Sequence, residues 1–295
     1  HRFALTASGN NGYLIHIISF HIMNIYKIAV IAGDGIGPEV IREGVRVLEE
    51  AARLDGGFRF EFTHFPWGCN YYKETGRMMP EDGIDTLRAF DAILLGAVGD
   101  PAVPDHISLW DLLLIIRKSF DQYVNLRPVK LLKGAPCPLK DVAIEDVDML
   151  FIRENSEGEY VLGSRGVEIP DKLAMDFKVT TDAGTRRIAR AAFEYAKNNG
   201  KDNVAIVTKA NIMKKTDGKF TALAHEVAKD YPGITVEDYY IDIMTANLLK
   251  EGLREKFQVV LLPNLYGDII TDEAAQIQCG VGTAGSANIG DEYAM

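Results

Sequence analysis

The chain has 295 residues, of which 47% are hydrophobic and 25% charged, and a formal net charge of −10. That length suits one large or two ordinary domains with a normal core, and the acidic balance excludes a protein that grips nucleic-acid phosphates on a basic face. Three widely spaced cysteines, Cys69, Cys137 and Cys279, exclude a disulfide framework or zinc site, so a reduced, cytoplasmic setting is expected.

The stretch "YLIHIISFHIMNIY" (13–26) is apolar but too short to span a bilayer, and His16 and His21 interrupt it. It lacks the charged start and small-residue cleavage site of a signal peptide. Residues 1–22 are therefore expected to be a non-native or disordered extension, with the folded unit starting at Met23.

Next comes "YKIAVIAGDGIGPEVIREGVRVLEEAARL", which predicts strand, turn and helix. Ile28–Ile31 form the strand, and Gly33, Gly35 and Gly37 make the turn. Pro38 suits a first helical turn, where its missing N–H costs nothing. Val40, Ile41, Val45 and Leu48 then recur at helical spacing. The turn "GDGIGPE" fits neither G-x-G-x-x-G nor a P-loop, so a tight strand-to-helix turn explains it as well as a phosphate loop does.

"FRFEFTHF" alternates like a strand, and "AFDAILLGAVG" is a compact apolar run of the buried parallel type. "LWDLLLIIRKSFDQY" predicts a helix. Beyond it, "DMLFIRE", "NVAIVTK", "ITVEDYYID" and "FQVVLLPN" predict strands, with "DAGTRRIARAAFEYAKNN" and "KFTALAHEVAKDY" as helices between them. Strands alternating with helices mean α/β with substantial parallel sheet. No loose linker is present, so any domain division is made by chain crossings.

Unusual polar residues gather near these elements. They are Arg117, Arg127 before a proline, Arg153, Tyr160, Lys209, Asn211, Asp242, Asp268 and Asp272. Each alone has an ordinary reading, such as a solvated arginine or a strand-capping lysine. As a set they make a pattern. Three arginines can bind two carboxylates by bidentate contacts. Three aspartates offer hard oxygen ligands for Mg²⁺ or Mn²⁺. In "NLYGDIITDE" two of these aspartates fall four apart, a spacing that weakens a helix by repulsion unless a cation intervenes. A lysine and a tyrosine complete a proton-transfer pair. The expected function is a metal-dependent enzyme acting on a small dicarboxylate.

From about Met23 to Met295 the chain resembles the β-decarboxylating dehydrogenases of the isocitrate/isopropylmalate dehydrogenase family. "GDGIGPEV", "NLRPV", "RENSEGEY", "TKAN", "YID" and "NLYGDIITDE" occur in family order. The resemblance implies a two-domain α/β fold of the isopropylmalate-dehydrogenase type with parallel and mixed sheets, which is not a Rossmann fold. It places a larger, cofactor-side domain at 23–122 plus 279–295 and a smaller substrate, metal and dimer domain at 123–278. It implies Arg117, Arg127 and Arg153 as substrate arginines, Tyr160 as the proton donor to the enolate, Lys209 as catalytic lysine, and Asn211 beside substrate and nicotinamide. Asp242, Asp268 and Asp272 become metal ligands, Asp242 also taking part in proton transfer, and Ile36 and Gly37 line the cofactor cleft. Lys209 and Asp242 would serve the neighbouring subunit, so a homodimer with shared sites is implied, with NAD and Mg²⁺ or Mn²⁺ as cofactors and no nucleic-acid or membrane partner.

Substrate choice in the family is made by the helix before Arg117. There Trp110 stands where isopropylmalate enzymes have glutamate, followed by Leu113 and Leu114, and Asp111 stands where isocitrate enzymes have serine. "VPDHISLW" and "FDQYVNLRPV" are most similar to D-malate and tartrate dehydrogenases, and a bulky Trp110 would close the pocket over a substrate with little at C3. D-malate or tartrate is expected, then isopropylmalate, for which Leu113 and Leu114 are retained, then isocitrate. A non-catalytic regulatory subunit is the alternative of another class, and it would have lost ligands that this chain keeps. The family's adenosine-binding motif, His-Gly-x-Ala-Pro, does not occur before Met295, so the chain is expected to be a fragment of a longer enzyme that binds cofactor weakly by itself.

Overall fold

Ala29–Ile31 are fully buried, as the core-facing end of a parallel strand should be. They close β1 (Asn24–Ile31), which is the centre of a three-stranded parallel sheet between β2 (Phe58–Phe65) and β3 (Ala92–Leu95). The computed structural model describes residues 23–161 and 166–295, and the expected extension at 1–22 lies outside them. Helices α1 (Gly37–Asp55), α2 (Cys69–Thr75), α3 (Gly83–Leu87) and α4 (Asp105–Ser108) complete a first unit, with a π-helical segment at Leu109–Leu114.

The "GDGIGPE" segment is a tight structural turn. A Cβ at Gly33, whose φ is +72°, would meet the Ala97 carbonyl oxygen at 2.0 Å, and one at Gly37 would meet the Ala32 oxygen at 2.1 Å. Only glycine allows such approach. Buried Asp34 locks the turn by accepting the Cys69 N–H at 2.9 Å and the Gly99 N–H at 3.1 Å. Ile36, at the start of α1, is 63% exposed.

The second unit, Ile115–Met295, begins with α5 (Ile115–Ser119) and β4 (Val124–Lys130). Then follow β5 (Asp148–Glu154), a hairpin of β6 (Val167–Ile169) and β7 (Leu173–Met175), α6 (Asp182–Asn198) and β8 (Asn203–Thr208). The remainder is α7 (Thr216–Ala228), β9 (Thr235–Tyr240), α8 (Ile241–Leu248), β10 (Val259–Leu262), α9 (Asn264–Ile277) and β11 (Ala287–Ile289). The mixed sheet runs β11-β4-β5-β10-β8-β9. Side-chain alternation splits its residues between two cores. Leu150, Ile152, Val204, Ile206 and Leu261 pack with α6 and α7. Met149, Phe151, Ala205, Val207 and Val260 pack with α8 and α9.

Residues 115–122 and 279–295, which the sequence placed with the first unit, lie here in the second. Strand β11 pairs antiparallel with β4 through Asn288↔Asn125, and Tyr293 packs on Phe120 at 4.5 Å. One boundary also differs. "ITVEDYYID" leaves the sheet at Tyr240, and Asp242 sits in the first turn of α8 rather than at a strand end. Among the described residues no helix is long and apolar enough to cross a membrane.

Candidate active site

Strands β5, β10, β8 and β9 are parallel neighbours, so their C-terminal ends lie along one edge of the sheet. That edge is where open α/β sheets hold ligands. Arg153 falls at the end of β5, and α9 leaves the end of β10 through Pro263. The register pairs Arg153 with Leu262, which sets the arginine beneath the start of α9.

Arg153 is 1% exposed and fully engaged. Its Nη1 donates to Asp268 Oδ1 at 2.6 Å, its Nη2 to Asn264 Oδ1 at 2.6 Å and its Nε to the Asn264 carbonyl at 2.9 Å. Arg127 reaches the same carboxylate at 3.1 Å, lies 3.7 Å from Asp272 and donates to Thr271 Oγ1 at 2.6 Å. The Tyr160 hydroxyl donates to Asp268 Oδ2 at 2.8 Å. Asp268 and Asp272 do share a helix face, as their spacing requires, and within this chain Arg127 spans both carboxylates and relieves their repulsion.

Burial, the largest influence on Asp268, pushes its carboxyl up, but Arg153, Tyr160, Arg127 and Arg117 together outweigh it and hold the pKa below the usual carboxylate value. Burial and Asp268 both raise the Tyr160 phenol, so it keeps its proton at neutral pH. Arg117 is brought down to about 10, first by burial and then by Arg153 and Arg127. Its guanidinium has no hydrogen bond or ion pair among the described residues, and its Nε is buried without a partner. Three guanidinium groups thus face two carboxylates, Asp268 and Asp272, an excess of positive charge suited to an anionic ligand.

Lys209 and Asp242 form a second group. Lys209 follows β8, and its Nζ donates to Asp242 Oδ1 at 2.5 Å, which lowers the Asp242 pKa. No hydrogen bond or ion pair among the described residues joins this pair to the arginine cluster. Nor do Asp242, Asp268 and Asp272 converge, for no group of three metal-binding side chains exists among the described residues. Asn211 is exposed in the turn after Lys209. Trp110, Leu113 and Leu114 lie on the π-helical segment that runs into α5, which carries Arg117.

Asn264 escaped the sequence reading. An asparagine opening a helix suggests a cap, yet this side chain grips Arg153 and donates to the Glu157 carbonyl at 3.1 Å. Gly267 was missed as well. A Cβ there would lie 2.6 Å from Arg153 Cγ, the buried stem of that side chain. Gly267→Ala is expected to cost about 1–3 kcal/mol by overpacking and to displace the guanidinium from Asp268. A urea titration and substrate KM would check both effects, and wild-type values in both would refute the packing account.

The isocitrate/isopropylmalate dehydrogenase family model matches residues 27–295. A Bacillus subtilis (strain 168) protein named "Probable tartrate dehydrogenase/decarboxylase" is 44% identical over 269 residues, covering 90% of this chain and 75% of that protein. Escherichia coli (strain K12) "D-malate dehydrogenase [decarboxylating]" is 42% identical over 275 residues, covering 92% of this chain and 75% of its own. Among solved structures, isocitrate dehydrogenase from Methylococcus capsulatus superposes with a TM-score of 0.79 at 31% identity, covering 91% of this chain and 76% of that one.

Proposed function

The chain belongs to the isocitrate/isopropylmalate dehydrogenase family, and from that premise we propose that it oxidatively decarboxylates a small 2-hydroxy dicarboxylic acid, D-malate or tartrate, in a reduced, cytoplasmic setting. The observation that carries this reading is the set of three guanidinium groups, Arg117, Arg127 and Arg153, against two carboxylates, Asp268 and the more exposed Asp272. A dicarboxylate fits that charge. The names borne by the two relatives point to the same substrate class.

The donor set also fits a hard divalent cation. Asp268 and Asp272 share a helix face, and Asp242 of a second copy would complete an all-oxygen set in a homodimer with shared sites. Ile36, exposed at the start of α1 beside Gly37, and Asn211, exposed in the turn after Lys209, are the residues assigned to the nicotinamide. When bound, the cation supplies Lewis-acid charge and the NAD supplies a hydride acceptor.

The chain's own residues do the rest. Arg117, Arg127 and Arg153 orient the two substrate carboxylates. Lys209, held by Asp242 and serving the site of the second copy as Asp242 does, takes the proton of the C2 hydroxyl as C2 gives up its hydride. The 2-keto acid then loses its β-carboxylate as CO₂, and Tyr160 delivers a proton to C3 of the enolate. Trp110, Leu113 and Leu114, on the segment that runs into α5, are the residues assigned to the choice of group at C3.

Activity is tested by NADH formation from D-malate, tartrate, isopropylmalate and isocitrate, with Mg²⁺ or Mn²⁺ and with chelator. Chelator-sensitive turnover of D-malate or tartrate, at least about tenfold above the other two in kcat/KM, is the expected result. Preference for isopropylmalate or isocitrate would overturn the substrate, and turnover of none would overturn the activity.

A further inference from the structure

The turn that carries Lys209 rests on a carboxylate with no part in the chemistry above. Asp217, at the start of α7, is 0% exposed. Its Oδ2 accepts the Lys209 backbone N–H at 2.7 Å. Its Oδ1 lies 2.5 Å from Lys178 Nζ, on a side chain only 5% exposed. That ammonium also stands 3.6 Å from Glu159 and 4.1 Å from the centre of the Tyr266 ring. The Tyr266 hydroxyl faces Asp217 in turn, and burial together with that carboxylate pushes its pKa well up. The Lys209 carbonyl is held as well, by the N–H groups of Ile212 at 2.9 Å and Met213 at 2.8 Å.

The network touches three parts of the site. Tyr266 lies on α9, two residues before Asp268, and Glu159 adjoins Tyr160. Val179, next to Lys178, pairs with Gly158 in the loop that leads to Tyr160.

A buried ion pair is a weak source of stability, because desolvation offsets the attraction and packed apolar side chains often do as well. Stability therefore does not account for Asp217. An apolar residue could not accept the Lys209 N–H, and that bond sets the peptide from which the lysine side chain reaches Asp242. We propose that Asp217, held by Lys178 and Tyr266, is a positioning residue for Lys209. The inference rests on the catalytic reading of Lys209 given above.

Two double variants separate positioning from stability. Lys178→Met with Asp217→Leu removes both charges and the acceptor while keeping the volume filled. Its urea midpoint is expected near wild type, its kcat down about a hundredfold and its substrate KM within roughly threefold. Lys178→Met with Asp217→Asn keeps an oxygen for the Lys209 N–H, and its kcat should stay within about tenfold of wild type. Wild-type kcat in the leucine variant, or equal losses in both, overturns the proposal. Should the leucine variant not fold, the asparagine variant decides alone. Retained kcat there supports the acceptor role, and a hundredfold loss overturns it. Lys209→Met is measured alongside. Turnover surviving in that variant defeats the catalytic reading itself, whereas a dead Lys209→Met beside an active leucine variant defeats the positioning role only.

Discussion

Lys209→Met is expected to lower kcat by roughly a hundred- to ten-thousandfold while leaving the protein folded. Methionine keeps the length and apolar stem of lysine but has no proton to take or give. The partner lost is Asp242, whose side chain is 65% exposed against 25% for Lys209. An exposed ion pair of this kind adds little to stability, so the urea midpoint should stay at the wild-type value. The Asp242 carboxyl, lowered chiefly by its bond to Lys209, should move back up toward its ordinary range. Steady-state NADH production gives the rate, and far-ultraviolet circular dichroism reports the fold. Full turnover in the variant would remove Lys209 from the chemistry.

Arg153→Met is expected to damage folding and substrate binding together. The guanidinium is buried and makes four hydrogen bonds, one to Asp268 and three to Asn264. The Asp268 side chain is 38% exposed and keeps Arg127 and Tyr160, so the cost is expected at about 1–3 kcal/mol, part of which reflects the Asn264 oxygens left without a donor. Arg153→Lys should recover little, because an ammonium cannot reproduce the fork that serves Asp268 and Asn264 at once. The loss should depend on pH with a definite sign. The native Asp268 pKa lies below its ordinary value of 3.8, so its charge stabilises the fold above that value. The stabilisation disappears as pH falls through the lowered native pKa. The gap in urea midpoint between wild type and variant should therefore be wide at neutral pH and narrow under acid. A gap unchanged with pH would show that the cost is packing alone.

Much of the fold was legible because its signals are local. "DMLFI", "NVAIVT" and "VVLL" are continuous apolar runs of strand length, and a strand buried on both faces requires that pattern. The heptad-like recurrence in "TRRIARAAFEYA" likewise follows from one face packing on the sheet. Helix α8 was missed because "DIMTANLL" is short and abuts a strand without a turn residue, so the switch of period leaves no mark. The little strand β11 was missed because three residues hold no period, and only the open edge of β4 makes them a strand.

By itself, the sequence determined the α/β class and the order of its motifs, and it supplied the polar residues of the candidate site, since backbone period and side-chain chemistry are properties of neighbours along the chain. The tertiary structure alone decided how those residues combine. Arg153 meets Asn264 and Asp268 across more than a hundred residues because β5 and β10 are adjacent and in register. Lys209 keeps company with Asp242 because β8 pairs with β9, with β10 standing between that pair and Arg153. Asp217, which looks like an ordinary acid at the start of a helix, became a buried anchor for Lys209 once Lys178 and Tyr266 closed over it. Such contacts depend on strand order and register, and no local pattern in the chain encodes them.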